Sequence, residues 1–379
     1  MKHYAGIDVS LNSSSVCVVD EIGKIVREVK VASEPVALIH CIKSLGVRVE
    51  RIGLEAGPLS QWLYGALRES GLPVELLETR HVKAALSVMP VKTDRNDARG
   101  LAQLMRLGWF RPVHCKSMAA QEVRALLTAR KLVQSKLYDI EMSLRGILRG
   151  FGLKVGPTTS RSFAARINHL AAGHPSLEMV AEALLSTHAA ALRAFKNLEK
   201  NVRQISRADA RVRLLMSTPG VGPVVALTYI SAIDDPMRFT SSKRVGAHFG
   251  LTPKKYQSGE TDISGRISKI GDSSVRAVLY EAAHIILTRP IHGGAQKLGD
   301  ATCQARRHEE GEGSARPQAR RRAAPHVGQR QYFRFRKSER LHARRGLTRG
   351  AHKFRRGSRH QAFSKRSPVA GTMDEVRPG

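Results

Sequence analysis

Three apolar segments fall within the first thirty-one residues, His3 to Val9, Ser14 to Val19 and Lys24 to Val31, with only a few residues between them. Gaps that short hold turns, such as Asp20-Glu21-Ile22-Gly23, so the segments read as a three-stranded meander. A helical run through Leu38, Ile39, Ile42 and Leu45 starts at Pro35, which suits the first turn of a helix because it has no N–H to lose. The strand Val49 to Leu54 follows, then a helix from Ser60 to Arg68 with Ser60 as expected N-cap, then a strand from Val74 to Leu77. Strands followed by alternating helix and strand predict an α/β domain with a mixed sheet and helices packed on its faces.

Beyond residue 118 the period changes. Val133, Leu137, Ile140, Leu144 and Ile147 step by fours and threes, as do Leu192, Phe195, Leu198, Val202 and Ile205. That spacing predicts two long helices of coiled-coil type within a linker spanning 119–210. Gly150, Gly152, Gly156 and Pro157 break the first, leaving the pair to fold back antiparallel or to engage a second subunit. Residues 211–290 read as a compact, mainly α domain around Thr218-Pro219-Gly220-Val221-Gly222-Pro223. A PGVG turn between two apolar helices is a helix-hairpin-helix signature, in which backbone N–H groups at Gly220 and Gly222 can bind a phosphate without reading sequence. The plainer alternative is an ordinary Gly/Pro helix connection.

Charge narrows the partner. The 379 residues carry 63 Lys and Arg against 32 Asp and Glu, a net charge of +31, which suits a polyphosphate better than a small metabolite. Residues 291–379 hold 22 Lys and Arg and 7 Asp and Glu, a net +15, so the first 290 residues keep a net +16. The tail is rich in Arg, Gly, Ala and Gln without helical or strand period. It reads as a disordered basic arm, or as GC-rich coding sequence translated out of register. Cys17, Cys41, Cys115 and Cys303 show neither zinc spacing nor a disulfide framework, as expected in a reducing cytoplasm. The N-terminus enters a strand without a leader-like apolar region, and no apolar run approaches a membrane span, so neither secretion nor membrane insertion is expected.

In this basic chain four acids stand out. Asp8 ends the first strand and Glu55 follows the fourth; if those strands are neighbours, their carboxylates meet. Asp94 and Asp97, three apart in KTDRNDARGLAQLM, share one helix face. An all-oxygen set of four suits Mg²⁺ or Mn²⁺, and such ions can flank a scissile phosphodiester. Any one of these acids alone reads more simply as a surface group, and Asp94 as a helix cap. The element order is that of an RNase H-like domain.

The ordered set GID, LEA, KTDRNDA, STPGVGPVVA, GAHFGLTPKKYQSG and ISKIGDSSVRAVLYEAA, spread over residues 1 to 290, resembles the IS-one-ten class of insertion-sequence transposases. The resemblance implies a RuvC-like DEDD domain at 1–118, with Asp8, Glu55, Asp94 and Asp97 as metal ligands. It also implies a C-terminal transposase domain in which the matching serine, Ser258, is the DNA nucleophile. It further implies DNA ends and target as substrates, recombination through a covalent serine–DNA intermediate, a structured noncoding guide RNA, and a dimer or tetramer working at the bacterial nucleoid. From the residues themselves the case for Ser258 is thinner, since a Ser-Gly pair is commonly a turn. Lys254, Lys255, Arg266 and Lys269 supply positive charge around it, no His or Asp is an obvious base, and a metal held by the four acids is the natural activator. Members of the class continue past the LYEAA helix into another amphipathic helix, which this chain replaces with the Arg-rich tail. The apolar face of Val275, Leu279 and Ile286 is therefore expected to lack a cover.

Three other readings compete. The first hairpin superficially resembles that of a sugar-kinase or actin-like phosphotransferase, but it lacks the glycine expected at the turn, and the charge is wrong for a metabolite kinase. The second is a RuvC-like metal-dependent nuclease using water, and the third an inactive nucleic-acid-binding remnant.

Overall fold

The computed structural model describes residues 1–288, so the expectations for the Arg-rich tail lie outside the described residues. The chain divides into two compact units, Met1–Glu122 and Val123 onward.

The first unit contains β1 (His3–Val9), β2 (Ser13–Asp20), β3 (Ile25–Ala32), α1 (Pro35–Lys43), β4 (Val49–Glu55), α2 (Ser60–Glu69), β5 (Val74–Leu77), α3 (Thr79–Leu86) and α4 (Asp94–Leu107). The sheet order is β3-β2-β1-β4-β5. β1, β2 and β3 pair antiparallel, and β4 and β5 add on in parallel. This is the mixed sheet of an RNase H-like domain. Alternation along the strands splits their apolar residues between two cores. Ala5, Ile7, Val16 and Val18 pack with Leu38 and Ile42 of α1 and with Leu63 and Leu67 of α2. Tyr4, Cys17 and Val19 pack with Leu101, Ala102 and Met105 of α4.

One close approach sets the position of α4. A Cβ built on Gly6 would lie 2.3 Å from the Ala98 carbonyl oxygen and 2.4 Å from the Ala102 nitrogen, so helix backbone rests directly on strand backbone. Gly53, the register partner of Gly6 on β4, leaves room for Met105 in the same way. Ser60 does not cap α2 as expected. It is already helical, and its hydroxyl instead bonds Gly57, accepting from the N–H at 2.9 Å and donating to the carbonyl at 2.7 Å.

The second unit is built on α5 (Met118–Gly150) and α7 (Pro175–Ala208), with α6 (Phe163–Ala171) at one end. Arg130 meets Glu199 at 2.5 Å, and Glu141 meets the buried His188 at 3.0 Å. Leu144 and Leu148 share a core with Phe163, Leu177 and Ala181, so α5 and α7 run antiparallel. The buried line on α5 passes through Leu137, Leu144 and Leu148, while Ile147, expected on it, is 37% exposed. Then come α8 (Ala210–Met216), α9 (Pro223–Ile233), α10 (Ser242–His248), a hairpin of β6 (Pro253–Ser258) and β7 (Thr261–Ile267), and α11 (Ser273–Thr288). The hairpin is an addition to the mainly α piece expected. TPKKYQSGETDISGRI alternates too weakly to announce itself, because neither face is buried.

A second correction concerns α11. Val275, Leu279, Ala282 and Ala283 are buried and Ile286 is half-buried, so within the described residues this face is already covered. Its partners are α9 and the turn before it, where Val275 and Leu279 share a core with Ala226, Tyr229 and Ile230. Among the described residues no helix is long and apolar enough to cross a membrane.

Candidate functional site

The first unit gathers charge at one edge of its sheet. Asp8 is the second-last residue of β1 and Glu55 the last of β4. The two strands run parallel with Ile7 beside Leu54, so both acids leave the sheet at the same end. The seating of α4 on Gly6 brings its first turn, with Asp94 and Asp97, to that end. The acids feel one another. Asp8 is pushed up to about 6, by burial first and then by Asp97 and Asp94, with Lys92 working against the rise. Glu55 is also raised, by burial, then Asp8 and Asp97, with Lys92 and a hydrogen bond from Thr79 opposing.

Asp94 is not needed as a cap. Thr93 is the N-cap of α4, its hydroxyl accepting from the Asn96 N–H at 3.2 Å, and the Asp94 carboxylate is thereby released for other work. The donor set fits a hard divalent cation: four carboxylates without imidazole or thiolate, two of them held above their ordinary range by burial first and then by the charge of the others. Among the described residues, however, no three His, Cys, Asp or Glu side chains are gathered closely enough to grip a metal ion unaided.

Three contributors to this edge escape sequence reasoning. Lys92 is the cation felt by both Asp8 and Glu55. Thr79 donates to the Ala56 carbonyl at 2.9 Å, immediately after Glu55, and holds the Glu55 carboxyl down slightly against its rise. Arg95 and Arg99 both clamp Glu28 of β3, Arg95 at 2.5 Å, fastening α4 across the sheet. The Arg99 and Arg95 hydrogen bonds hold Glu28 down at about 2 against some desolvation. Beside this clamp runs a groove of about 680 Å³ lined by Cys17, Glu28, Lys30, Thr93, Asp94 and Arg95. Burial, and then Glu28, pushes the Cys17 thiol up to about 12, which makes it a packing group rather than a nucleophile. The i, i+4 spacing of Arg95 and Arg99 was a readable sign of a helix face with one acidic partner, but nothing local pointed to Glu28.

Ser258 belongs to the second unit. It ends β6 and pairs with Thr261 across the turn Gly259-Glu260. Every residue of β6 is exposed, Ser258 included. Lys254, Arg266 and Lys269 are exposed as well, whereas Lys255 is engaged with Asp262 at 3.0 Å. The root of the hairpin is tied by backbone bonds from Ser268 N–H to the Thr252 carbonyl (2.8 Å) and from Lys269 N–H to the Gly250 carbonyl (3.0 Å).

Gly220 and Gly222 occupy the connection between α8 and α9. Gly220, with φ +79°, has a packing duty: a Cβ there would lie 2.6 Å from the Ala282 carbonyl oxygen of α11. Gly222 has open space around it and is the N-cap of α9, beside the helix's first unbonded N–H groups.

A five-stranded mixed sheet with an acidic edge, carried in a strongly basic chain, defines a nucleic-acid-processing domain of the RNase H-like class. Two family profiles match: one for DEDD transposases of the IS110 group over residues 5–152, the other described as "Transposase IS116/IS110/IS902 family" over residues 212–294. The chain belongs to the IS110 family of transposases, and as an enzyme it is a transposase. The transposase for insertion sequence element IS1111A of Coxiella burnetii is 29% identical over 290 residues, covering 74% of this chain and 77% of that protein. A probable family 20 transposase of Pseudomonas aeruginosa is 25% identical over 245 residues, 62% of this chain and 71% of that one. Among solved structures, T. thermophilus RuvC in complex with a Holliday junction substrate aligns with 30% of this chain and 100% of that one, at 20% identity and a TM-score of 0.24. A score that low adds nothing to what the strand order itself shows.

Proposed function

We propose that this transposase moves its element by metal-assisted attack of Ser258 on DNA phosphodiesters, with Asp8, Glu55, Asp94 and Asp97 as the ligands of Mg²⁺ or Mn²⁺. The observation that carries the reading is the convergence of four carboxylates on one sheet edge, where burial and then their mutual charge raise Asp8 and Glu55, within a protein of net charge +31. A divalent ion there supplies Lewis-acid polarisation of a phosphoryl oxygen and eases deprotonation of the attacking hydroxyl. The chain's own residues do the rest. Thr79 ties the start of α3 to the Ala56 carbonyl next to Glu55, Thr93 caps α4 so that Asp94 is available, and the Arg95–Glu28–Arg99 clamp keeps the first turn of α4 in place.

In the transfer step the Ser258 oxygen bonds to phosphorus as one ester P–O bond breaks. The departing strand leaves with a free hydroxyl and takes up a proton equivalent to the one serine gave up. Phosphodiester is exchanged for phosphodiester, so the energy of the bond is kept for rejoining. Exposure of Ser258 at a strand end supports this role, since a duplex backbone could approach it. Lys254, Arg266 and Lys269 are available to phosphates, as are the N–H groups at the start of α9 beside Gly220 and Gly222; Lys255 would first have to leave Asp262.

The division of labour we propose is a DEDD domain at 1–118, a helical linker at 119–210 and a transposase domain at 211–290. A structured RNA encoded by the element guides the choice of DNA, and two or four copies assemble on the DNA at the nucleoid. The surplus of positive charge supports a second nucleic-acid partner, and base pairing would then carry sequence specificity.

A second reading follows from the carboxylates and Ser258 lying in different units: a water-using nuclease confined to the first. A covalent trap separates the two. Purified protein, Mg²⁺, the transcript flanking the element and end-labelled DNA are combined and run on a denaturing gel beside Ser258→Ala and Asp8→Ala. Label retained by wild type alone supports serine transfer. Cleavage without adduct, lost only in Asp8→Ala, supports the nuclease, and no reaction in any lane supports an inactive remnant.

A further inference from the structure

The mechanism leaves one exposed aromatic group beside the carboxylate edge unused. Trp109 lies just beyond α4 and is 60% exposed. Its segment is fixed in place: Val113 N–H donates to the Leu76 carbonyl at 2.7 Å, Glu78 N–H donates to the Arg111 carbonyl at 3.0 Å, and Pro112 bridges Leu77. Leu77 is the register partner of Glu55, so the segment flanks β5 at the end where the carboxylates gather. The indole is not loose, because the His81 ring meets it edge-on at 5.3 Å and 74°. His81 in turn stands two residues after Thr79, whose hydroxyl donates to the Ala56 carbonyl next to Glu55.

Charge accompanies the ring. Arg80 and Arg111 share a single carboxylate, Glu78, at 3.0 and 3.7 Å, and their side chains are 53% and 75% exposed. Two guanidiniums on one carboxylate leave one positive charge unneutralised. A rigid exposed indole flanked by surplus guanidinium charge fits an anionic polymer that carries flat aromatic faces. In a duplex those faces are already stacked, so only an unpaired base can use the ring.

We propose that Trp109 is a stacking platform for an unpaired DNA base, with Arg80 and Arg111 on the flanking phosphates, holding single-stranded DNA next to the acidic edge. This rests on the reading of that edge as the place where DNA is cut, and it adds the strand's conformation: the DNA is locally unpaired there. A duplex would present only backbone to this surface.

The test uses the full chain carrying Trp62→Phe, which leaves Trp109 as the sole indole, since the sequence has two tryptophans. Indole fluorescence is followed while an oligodeoxythymidine strand, a duplex of equal length and an oligouridine strand are added in separate titrations. The expected result is quenching by the deoxy strand and little by the duplex. In the background with both tryptophans, Trp109→Ala should weaken single-strand binding roughly 5- to 100-fold. Duplex binding should stay within about twofold, being a matter of phosphate charge, and Trp109→Phe should recover most of the loss. Single-strand affinity unchanged in Trp109→Ala, or binding without quenching, would overturn the platform even if Asp8-dependent cleavage persisted. Preference for the ribo strand by tenfold or more would overturn the assignment to DNA. Failure of the wild type to bind any strand or duplex would remove the platform and the DNA-processing reading together, whereas loss of only the platform would leave the latter standing.

Discussion

The acidic edge of the first unit and the Ser258 hairpin of the second are built in opposite ways. Asp8 and Glu55 end adjacent strands of a five-stranded sheet cored on both faces, and Asp94 and Asp97 ride on a helix seated backbone to backbone over Gly6. The hairpin is two strands, exposed along their length, with Tyr256 and Ile263 paired across them at 64% and 58% exposure and Lys255 tied to Asp262 at the surface. Two isolated strands are marginal in water, so this one depends on its root. The contrast teaches that repelling charges need a scaffold strong enough to hold them together, while an uncharged hydroxyl does not. On the function we propose, a nucleophile that must reach a bulky duplex gains from standing clear of its own core.

If the comparison is right, the largest change in stability comes from disturbing the seat of α4. Gly6→Ala should cost about 3 kcal/mol or more, because its Cβ meets backbone atoms that cannot rotate away. Denaturant melts would show it, together with loss of metal-dependent strand cleavage; a melt close to wild type would break the account of how the edge is assembled.

Asp8→Asn should act in the opposite direction. The folded carboxyl sits at about 6 against an ordinary 3.8, so its ionised form weakens the fold as pH rises through that window. With chelator present at pH 7 the variant should be more stable by about 1–2 kcal/mol. The difference should shrink as pH falls from 6 and be lost below 3.8, where the wild-type carboxyl is protonated in both states. The same variant should lose about 100-fold or more of its Mg²⁺-dependent cleavage. Equal stabilities at pH 7 would show that neither burial nor the neighbouring acids penalise the Asp8 carboxylate.

Glu28→Gln tests the clamp, and its pH dependence has the other sign. Glu28 is held at about 2, below its ordinary 4.5, so its contribution is complete above pH 4.5 and is lost as pH falls towards 2. Thermal melts at pH 7 should place the variant about 1 kcal/mol below wild type, with the gap closing in acid. A gap that persisted at pH 2 would mean that packing, not the ion pairs, fastens α4.

Ser258→Ala should be nearly silent in stability, within about 0.5 kcal/mol, as befits an exposed strand end. It should nevertheless abolish the covalent adduct. A measurable loss of stability would mean that the hairpin packs more tightly than its exposure allows.

Legibility tracked burial. Strands β1, β2, β4 and β5, whose residues enter the two cores, announced themselves, as did β3 through its short turn, and so did the long helices, although the buried line on α5 passes through Leu148 where Ile147 was expected. The hairpin was missed because no alternation is imposed on strands that bury neither face. Asp8, Glu55, Asp94 and Asp97 stood out as a set, at strand ends and on one helix face, although each alone read as a surface group or cap. Lys92, Thr79 and Glu28 did not, because their importance comes from neighbours far away in the chain. Gly220 read as a loop residue suited to phosphate, and its contact with Ala282 was invisible without α11 in place.

What the sequence determined by itself was local: the meander forced by short gaps, the helices marked by their period, the surplus of positive charge and the residue types available for chemistry. What the tertiary structure decided was adjacency. Parallel pairing of β1 with β4 puts Asp8 beside Glu55, and the absence of a side chain at Gly6 lets α4 bring Asp94 and Asp97 to the same edge. The physical reason is range. Turn geometry and hydrophobic period act over a few residues and are written in consecutive letters. Repulsion among carboxylates and the seating of a helix on a sheet act through space, between positions that only folding brings together.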